Sequence, residues 1–482
     1  MGLRSLISFK GRMQSLIPLP GTRYSMREPA VKKTLYWCRE CNLPLIGKTC
    51  RCGAAGVEIP IQKPYDLRPA LAHDHELLRS LLLERYGTDR LPQVVLFNKS
   101  SGVDRTEVVI ANGVEFGRLS YGPAEHAYTL DLSQDALRFL APFITKGIVD
   151  ITAEAEEQGF GNRRLGGKKV MVRTNLSDGP VVVRMKDLLG VGQLHDGGVR
   201  VRQIGKVQPE SPPDPSWGEA VRVNVPLLKD LERTAVRFIR QHMDDRPAAN
   251  VSFSGGKDST VCLELARRAG VKDVFSVDTG LEFPETVEFV RQSGVQAVIH
   301  GNNFWKEVEK FGLPRKDNRW CCERLKLQPV KDYLSHKGPC VTVQGNRWYE
   351  SFSRSTLPGV VVNPFNPLQL NISPIRNWRA LEVFLYLWWR KVPYNPLYEM
   401  GYERVGCYLC PAMLESEAAR TREVHPDLAG HWDDYLVSWA KKKGLSRRYI
   451  DLGLWRWENP PPKMCELAGR CGVSVSKKRQ KS

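Results

Sequence analysis

The sequence has no apolar run long enough to cross a bilayer. Its richest stretch, residues 381–389, has the length of a short buried helix or strand. Arg4 and Lys10 interrupt the first thirteen residues, which argues against a secretory signal. Leu6 stands where an N-myristoylation motif requires Ser or Thr. The twelve cysteines lack the scatter of a disulfide scaffold, and most lie in pairs at metal-ligand spacing. These absences predict a cytoplasmic protein without a membrane partner. Acidic residues are also in deficit: 53 Asp and Glu face 71 Lys and Arg, a net charge of +18 over 482 residues. Such an excess predicts an anionic partner, RNA, DNA or a nucleotide; a basic enzyme without a nucleic-acid partner is the alternative. The length gives room for two to four domains. Oligomeric state is not readable.

What is present is organised around residues 251–259, V-S-F-S-G-G-K-D-S. Val251 and Phe253 read as the end of a strand. Ser254, Gly255 and Gly256 make a turn needing backbone angles that glycine takes cheaply. Asp258 and Ser259 fall where a helix would begin and be capped. Val261, Cys262, Leu265, Ala266 and Ala269 then mark one helical face. A strand, a small-residue turn and a helix N-terminus bring free N–H groups to one point, where Lys257 adds a cation. That combination predicts a phosphate site. G-x-x-x-x-G-K-[ST] is absent, so it is not a Walker A loop. S-G-G-K-D-S instead resembles the loop of the PP-loop ATP pyrophosphatases; an ordinary tight turn is the bland alternative.

Residues 1–30 read as a basic tail. Residues 31–64 carry Cys38, Cys41, Cys50 and Cys52 in a C-x2-C-x8-C-x-C pattern. Four thiolates in so short a segment suit a zinc-ribbon-like module folded by its metal, with an iron–sulfur cluster or free thiols as alternatives. Residues 65–145 mix helical and β texture without a catalytic cluster. In 146–209, Val-rich strands alternate with Gly turns, as in a small β-barrel. Lys168, Lys169, Arg173, Arg184, Lys186, Arg200 and Arg202 crowd those strands. The close of this segment, with Gly190, Gly192, Arg200 and Arg202, resembles a PUA domain, a module associated with RNA modification enzymes; a spacer with a solvated basic face competes. Residues 210–225 are a Pro-rich linker. A helix over 226–243 opens the next domain, 226–440. Within it Asp278, Thr279 and Gly280 end a strand at 274–277, where an open α/β sheet binds ligands. Gly345, Arg347 and Arg354 follow a strand at 341–343, and the planar arginine fork suits oxyanions. Residues 441–482 form a basic extension. In the stretch 436–457, Trp439, Tyr449, Trp455 and Trp457 lie beside Lys441, Lys442, Lys443, Arg447 and Arg448, either to stack on single-stranded RNA or as core.

Five further segments occur in the order seen in the phosphoadenosine phosphosulfate (PAPS) reductase family. They are V-D-T-G-L-E-F-P-E-T from 277, C-C-E-R-L-K-L-Q-P from 321, Q-G-N-R-W-Y-E-S-F-S-R from 344, P-Y-N-P-L-Y-E-M-G-Y from 393 and G-C-Y-L-C-P from 406. The resemblance spans about 226–439. It implies an α/β fold of the adenine nucleotide α-hydrolase type, a doubly wound, mostly parallel sheet. It also implies that Cys321, Cys322, Cys407 and Cys410 hold a 4Fe–4S cluster, as in adenylyl-sulfate reductases, with zinc as the alternative. Two features depart from the reductases. Their phosphate loop is commonly degenerate, whereas this one is intact. Their C-terminal E-C-G-[IL]-H is reduced here to Arg470-Cys471-Gly472-Val473-Ser474, leaving Cys471 a weak candidate nucleophile.

The preferred expectation is ATP- and Mg-dependent sulfur transfer to RNA, tRNA in particular, with pyrophosphate released. Ser254–Ser259 would bind the phosphates, Lys257 would offset departing charge, and Asp258 or Asp278 would hold Mg or orient the nucleotide. The alternatives are a reductase of PAPS or adenylyl sulfate, served by a thiol or ferredoxin-type electron donor, and a non-catalytic RNA-binding nucleotide sensor.

Overall fold

The computed structural model describes residues 32–160 and 165–475. The basic tail over 1–30 and Lys477 lie outside them. The first described unit is a three-stranded sheet of β1 Leu35–Cys38, β2 Leu43–Leu45 and β3 Val57–Ile59, with β1 central. Trp37, buried in it, donates from Nε1 to Asn42 Oδ1 at 2.8 Å. The second unit pairs β4 Leu67–Pro69, β5 Val95–Lys99, β6 Thr106–Ala111, β7 Val114–Gly122 and β8 Ala127–Leu132 in sequence order, with α1 Ala72–Tyr86 between β4 and β5 and a short α2 Leu137–Leu140 behind. Leu78 and Leu82 of α1 reach the core formed by Val95, Phe97, Val109 and Phe116. A third sheet runs β10 Lys169–Met171, β13 Gly198–Gly205, β12 Leu188–His195, β11 Gly179–Met185, β9 Ile148–Asp150, with α3 Thr152–Glu157 beside it. Val181, Val182, Val183, Val199 and Val201 are buried, and Arg184, Arg200 and Arg202 beside them face out.

The largest unit begins with α4 Trp217–Met243. The expected start near Pro226 is nine residues late: Ser216 and Glu219 form a capping box at the true start, and Pro226 lies inside the helix. Asn224 of α4 is buried and donates to the carbonyl of Pro44, so the first unit docks on this helix. Then follow β14 Ala248–Ser252, α5 Lys257–Ala269, β15 Asp273–Asp278, α6 Pro284–Gln292, β16 Ala297–His300, α7 Phe304–Phe311, the single turn α8 Trp320–Cys322, α9 Gln328–Lys337, β17 Cys340–Val343, β18 Val360–Asn363, β19 Asn366–Ile372 and α10 Ala380–Arg390. The strand order is β16-β15-β14-β17-β19-β18, parallel except for the edge hairpin of β18 and β19. Val251, Val341, Val343, Leu370 and Ile372 are fully buried between helices, as a sheet covered on both faces requires. The order reverses between β14 and β17, so their C-terminal ends open a crevice.

The chain ends in α11 Glu415–Val424, α12 Pro426–Lys442, α13 Arg447–Asp451 and α14 Pro462–Arg470. Trp432, Trp455 and Ile450 bury against Phe304 and Trp320, so Trp455 is core and not a stacking platform. The second unit is tied to these helices by Asp104, whose carboxylate accepts the N–H groups of Glu415 (2.7 Å) and Ser416 (3.1 Å) at the start of α11. No helix among the described residues is long and apolar enough to cross a membrane.

Candidate functional site

The loop between β14 and α5 lies at that crevice. Gly255 has φ +72°, which demands glycine. Gly256 takes the N-cap position of α5, and Asp258 belongs to its first turn. The capping expected of Asp258 and Ser259 is therefore not made. Ser259 Oγ instead turns back onto the Gly256 carbonyl (2.8 Å) and accepts the Ser254 N–H (3.2 Å), bracing the loop from within. Lys257 is buried, and its Nζ lies 3.2 Å from Asp258 Oδ2. Burial pulls its ammonium down, but the Asp258 carboxylate together with Tyr398 and Glu350 more than offsets this, so its pKa lies above the ordinary lysine value. Burial pushes Asp258 up, and Arg347 with Lys257 outweighs it, so this carboxyl stays below the usual range.

Arg347 is almost wholly buried. Its Nε donates to Asp258 Oδ1 at 2.7 Å, and its Nη1 and Nη2 donate to Asp66 at 2.9 and 3.2 Å. The sequence suggested a free fork for an oxyanion. In the structure both edges of the guanidinium are engaged, because a buried cation needs counter-charges. Arg354 is the more open of the two, bonded to Asn346 and paired with Glu350. Gly345 packs against the first turn of α5: a Cβ there would stand 2.8 Å from the Asp258 carbonyl carbon.

Ser254, Gly256, Lys257, Asp258, Ser259, Gly345, Arg347 and Arg354 line one cavity of about 570 Å³. Its far wall comes from the second unit, with Asp66, Arg68 and Lys99. A second cavity, about 550 Å³, adjoins it at Ser252, Ser254 and Gln344. Phe253, Val277, Val290, Val298 and Val330 make it apolar, and Asp278 sits on its wall. Asp278 accepts the Gly280 N–H at 2.8 Å; Thr279 is turned away, bonded to Glu282. A polar chamber, in which Lys and Arg barely outnumber Asp and Glu, beside an apolar one suits a ligand with a polar end and a flat apolar body.

Cys38, Cys41, Cys50 and Cys52 bring their sulfurs together within 4.8 Å of one another. The Cys38–Cys52 and Cys41–Cys50 separations, 3.6 and 3.9 Å, match the roughly 3.8 Å edge of a tetrahedron with metal–sulfur bonds near 2.3 Å. The four can hold one metal ion. Among Cys321, Cys322, Cys407 and Cys410 no three sulfurs lie within 4.8 Å of one another. Arg319 Nη2 lies 3.1 Å from Cys322 Sγ. The neighbouring Cys321 thiol, with Arg319 and Lys326, draws Cys322 down to about 5 against its own burial, whereas burial raises Cys407. A thiolate is thus favoured at Cys322 and disfavoured at Cys407.

Cys471 lies elsewhere. It caps the C-terminus of α14, packed with Leu467, Val103 and Ala124, and its Sγ lies 3.9 Å from Arg448 Nη2. It lines neither cavity. Sequence reasoning missed Asp66, Tyr398 and Lys326. Tyr398 Oη accepts the Lys257 N–H at 2.9 Å, occupying a backbone donor of the S-G-G-K-D-S loop. Tyr398 and Lys326 stand inside quoted motifs, so the signal was present. Asp66 carries none.

Residues 248–413 match the model of the phosphoadenosine phosphosulfate reductase domain. An uncharacterised protein of Methanocaldococcus jannaschii is 31% identical over 475 residues, covering 88% of this chain and 96% of that protein. A second uncharacterised protein of the same organism is 40% identical over 257 residues, 51% of this chain and 62% of the relative. An adenosine 5'-phosphosulfate reductase of Allochromatium vinosum is 27% identical over 256 residues, 50% of this chain and 87% of the reductase. A match along nearly the whole chain, around a reductase-type domain that opens with the S-G-G-K-D-S loop, places the protein in the phosphoadenosine phosphosulfate reductase family.

Proposed function

We propose that the protein is an ATP-dependent sulfur-transfer enzyme acting on RNA. The observation that carries this reading is the complete S-G-G-K-D-S loop at the head of α5, with Lys257 lining the polar chamber. Adenosine would lie in the apolar chamber and the phosphates on Ser254, Gly256 and Ser259. A nucleobase oxygen attacks the α-phosphorus, pyrophosphate leaves, and a sulfur nucleophile then displaces AMP from the activated carbon. Lys257 offsets the charge gathered on pyrophosphate. Asp258 and Asp278 are the carboxylates available to Mg.

Zinc is our reading for Cys38, Cys41, Cys50 and Cys52, and a 4Fe–4S cluster for Cys321, Cys322, Cys407 and Cys410. Such a cluster would supply a binding point for sulfur or a store of electrons. Around it the chain supplies counter-charge: Arg319 beside Cys322, and Lys326 on the same side as Cys407 and Glu282. The RNA assignment rests on the net charge and on the sheet of residues 146–209, a PUA-like module in our reading, where exposed Lys169 and Arg200 pair across β10 and β13.

A second reading, reduction of adenylyl sulfate or PAPS with a thiol donor, is favoured by the relatives named adenosine 5'-phosphosulfate reductase. The position of Cys471 on α14 weighs against it. Thermal unfolding with each nucleotide separates the two. ATP with Mg at a hundred times its dissociation constant should add about 2.7 kcal/mol, with little shift from PAPS or adenylyl sulfate. The reverse ranking favours the reductase.

A further inference from the structure

We infer that Asp66 is a positioning residue of the phosphate loop, so that the chamber is built jointly by the N-terminal part of the chain and the reductase-type domain. Asp66 immediately precedes β4 of the second unit, and no sequence motif points to it. Its Oδ1 accepts Arg347 Nη1 at 2.9 Å and the backbone N–H of Ala380, first residue of α10, at 2.7 Å. Its Oδ2 accepts Arg347 Nη2 at 3.2 Å. One carboxylate thus ties together two elements of the reductase-type domain that flank the chamber. Arg347 passes the constraint on through Nε to Asp258 (2.7 Å), whose other oxygen takes Lys257 Nζ (3.2 Å). The series Asp66–Arg347–Asp258–Lys257 alternates in sign, so the side chains that set the loop's charge are mutually compensated before a ligand arrives.

The consequence follows from burial. Arg347 is 2% exposed and cannot turn to water for replacement partners. Without the Asp66 carboxylate Nη2 loses its partner, Nη1 keeps only the Trp378 carbonyl at 3.3 Å, and the full charge falls on Asp258. Asp258 would then be drawn from Lys257, and the first turn of α5 would lose its registration against the segment carrying Gly345 and Arg347. This inference rests on the reading of the loop as a phosphate site; it does not depend on which nucleotide is used.

The test compares Asp66→Asn with Lys33→Gln. The second weakens another contact between the N-terminal part and α10, the Lys33–Glu382 pair at 3.1 Å, outside the chamber. In the ligand-free full-length protein, hydrogen exchange of the amides over 254–260 should quicken about tenfold or more in Asp66→Asn and stay at the wild-type rate in Lys33→Gln. Unchanged exchange over 254–260 in Asp66→Asn overturns the inference. Affinity adds a readout that general loosening would not produce. Asp66→Asn should bind ATP, or adenylyl sulfate if that is what the wild type takes, at least tenfold more weakly, with adenosine bound equally well. Equal loss for adenosine and nucleotide would reduce Asp66 to a structural contact and refute the inference. A wild type that prefers adenylyl sulfate would defeat the ATP reading while leaving the Asp66 comparison intact.

Discussion

Gly345→Ala should disable the S-G-G-K-D-S loop, the phosphate site in our reading, without touching a charge or a hydrogen-bonding side chain. An added Cβ would meet the Asp258 carbonyl carbon at 2.8 Å, the Ser259 nitrogen at 2.9 Å and the Asp258 oxygen at 3.0 Å, all backbone atoms. Ordinary contact begins near 3.4 Å, so one side must retreat by about 0.5 Å. Helix α5 is held by fully buried Val261, Cys262 and Leu265, so the yielding side is the segment carrying Arg347. Overpacking of this kind costs about 1–3 kcal/mol. A misplacement near 1 Å costs on the order of a hundredfold in activity, so half that distance predicts roughly tenfold weaker function. Calorimetric titration with nucleotide and urea unfolding measure the two effects. Gly430→Ala is the counterpart: Gly430 is exposed in α12 with nothing near its missing Cβ, so stability should rise by about 0.5–1 kcal/mol. Wild-type affinity in Gly345→Ala would refute the claim that this contact registers the loop.

Protein prepared without oxygen should contain about one zinc and about four irons, by the ligand preferences of the two cysteine sets. Replacing Cys407 and Cys410 by Ser should remove the iron and leave the zinc, and iron-free anaerobic protein would remove the cluster from the account. In acid, Glu382 should be a weak point. Burial alone would raise its pKa, but Arg379 and Lys33 bring it down to about 2. Because the folded value lies below the ordinary 4.5, this stabilisation is complete above that pH and is lost as pH falls towards 2. Its size is on the order of 3 kcal/mol, and Glu382→Gln should flatten the acid limb of stability measured by urea midpoints. RNA affinity, measured by filter binding, should fall by orders of magnitude between low and moderate salt as neutralised phosphates release counterions. No binding at low salt would remove the RNA assignment.

Short-range features were legible in the sequence. The turn at Gly255, the buried face of α5 and the four cysteines of the first unit follow from spacing alone, because the contacts that fix them lie within about fifteen residues. The order of the family motifs carried the parallel sheet. Contacts made across the chain were not legible. Arg347 is neutralised by a carboxylate 281 positions earlier, which no local pattern encodes. Pro226 looked like a helix start, yet the capping box ten residues upstream lengthens α4 through it. For Trp455 the sequence leaves stacking and core both open, and its partners Trp432 and Ile450 make it core. Cys471 kept the Cys-Gly of a reductase tail, and only its packing on α14 shows that it stands apart from both chambers.

The central claim is that the intact loop exists to release pyrophosphate. The direct measurement is an incubation of ATP, Mg, RNA and a sulfide source with wild type and Lys257→Ala, scoring pyrophosphate and thiolated nucleoside together. The account predicts both products in equal amounts from the wild type, and a loss of about 10²–10³ in rate in the variant. Sulfite formed from adenylyl sulfate or PAPS, without pyrophosphate and abolished by Cys471→Ser, would contradict it.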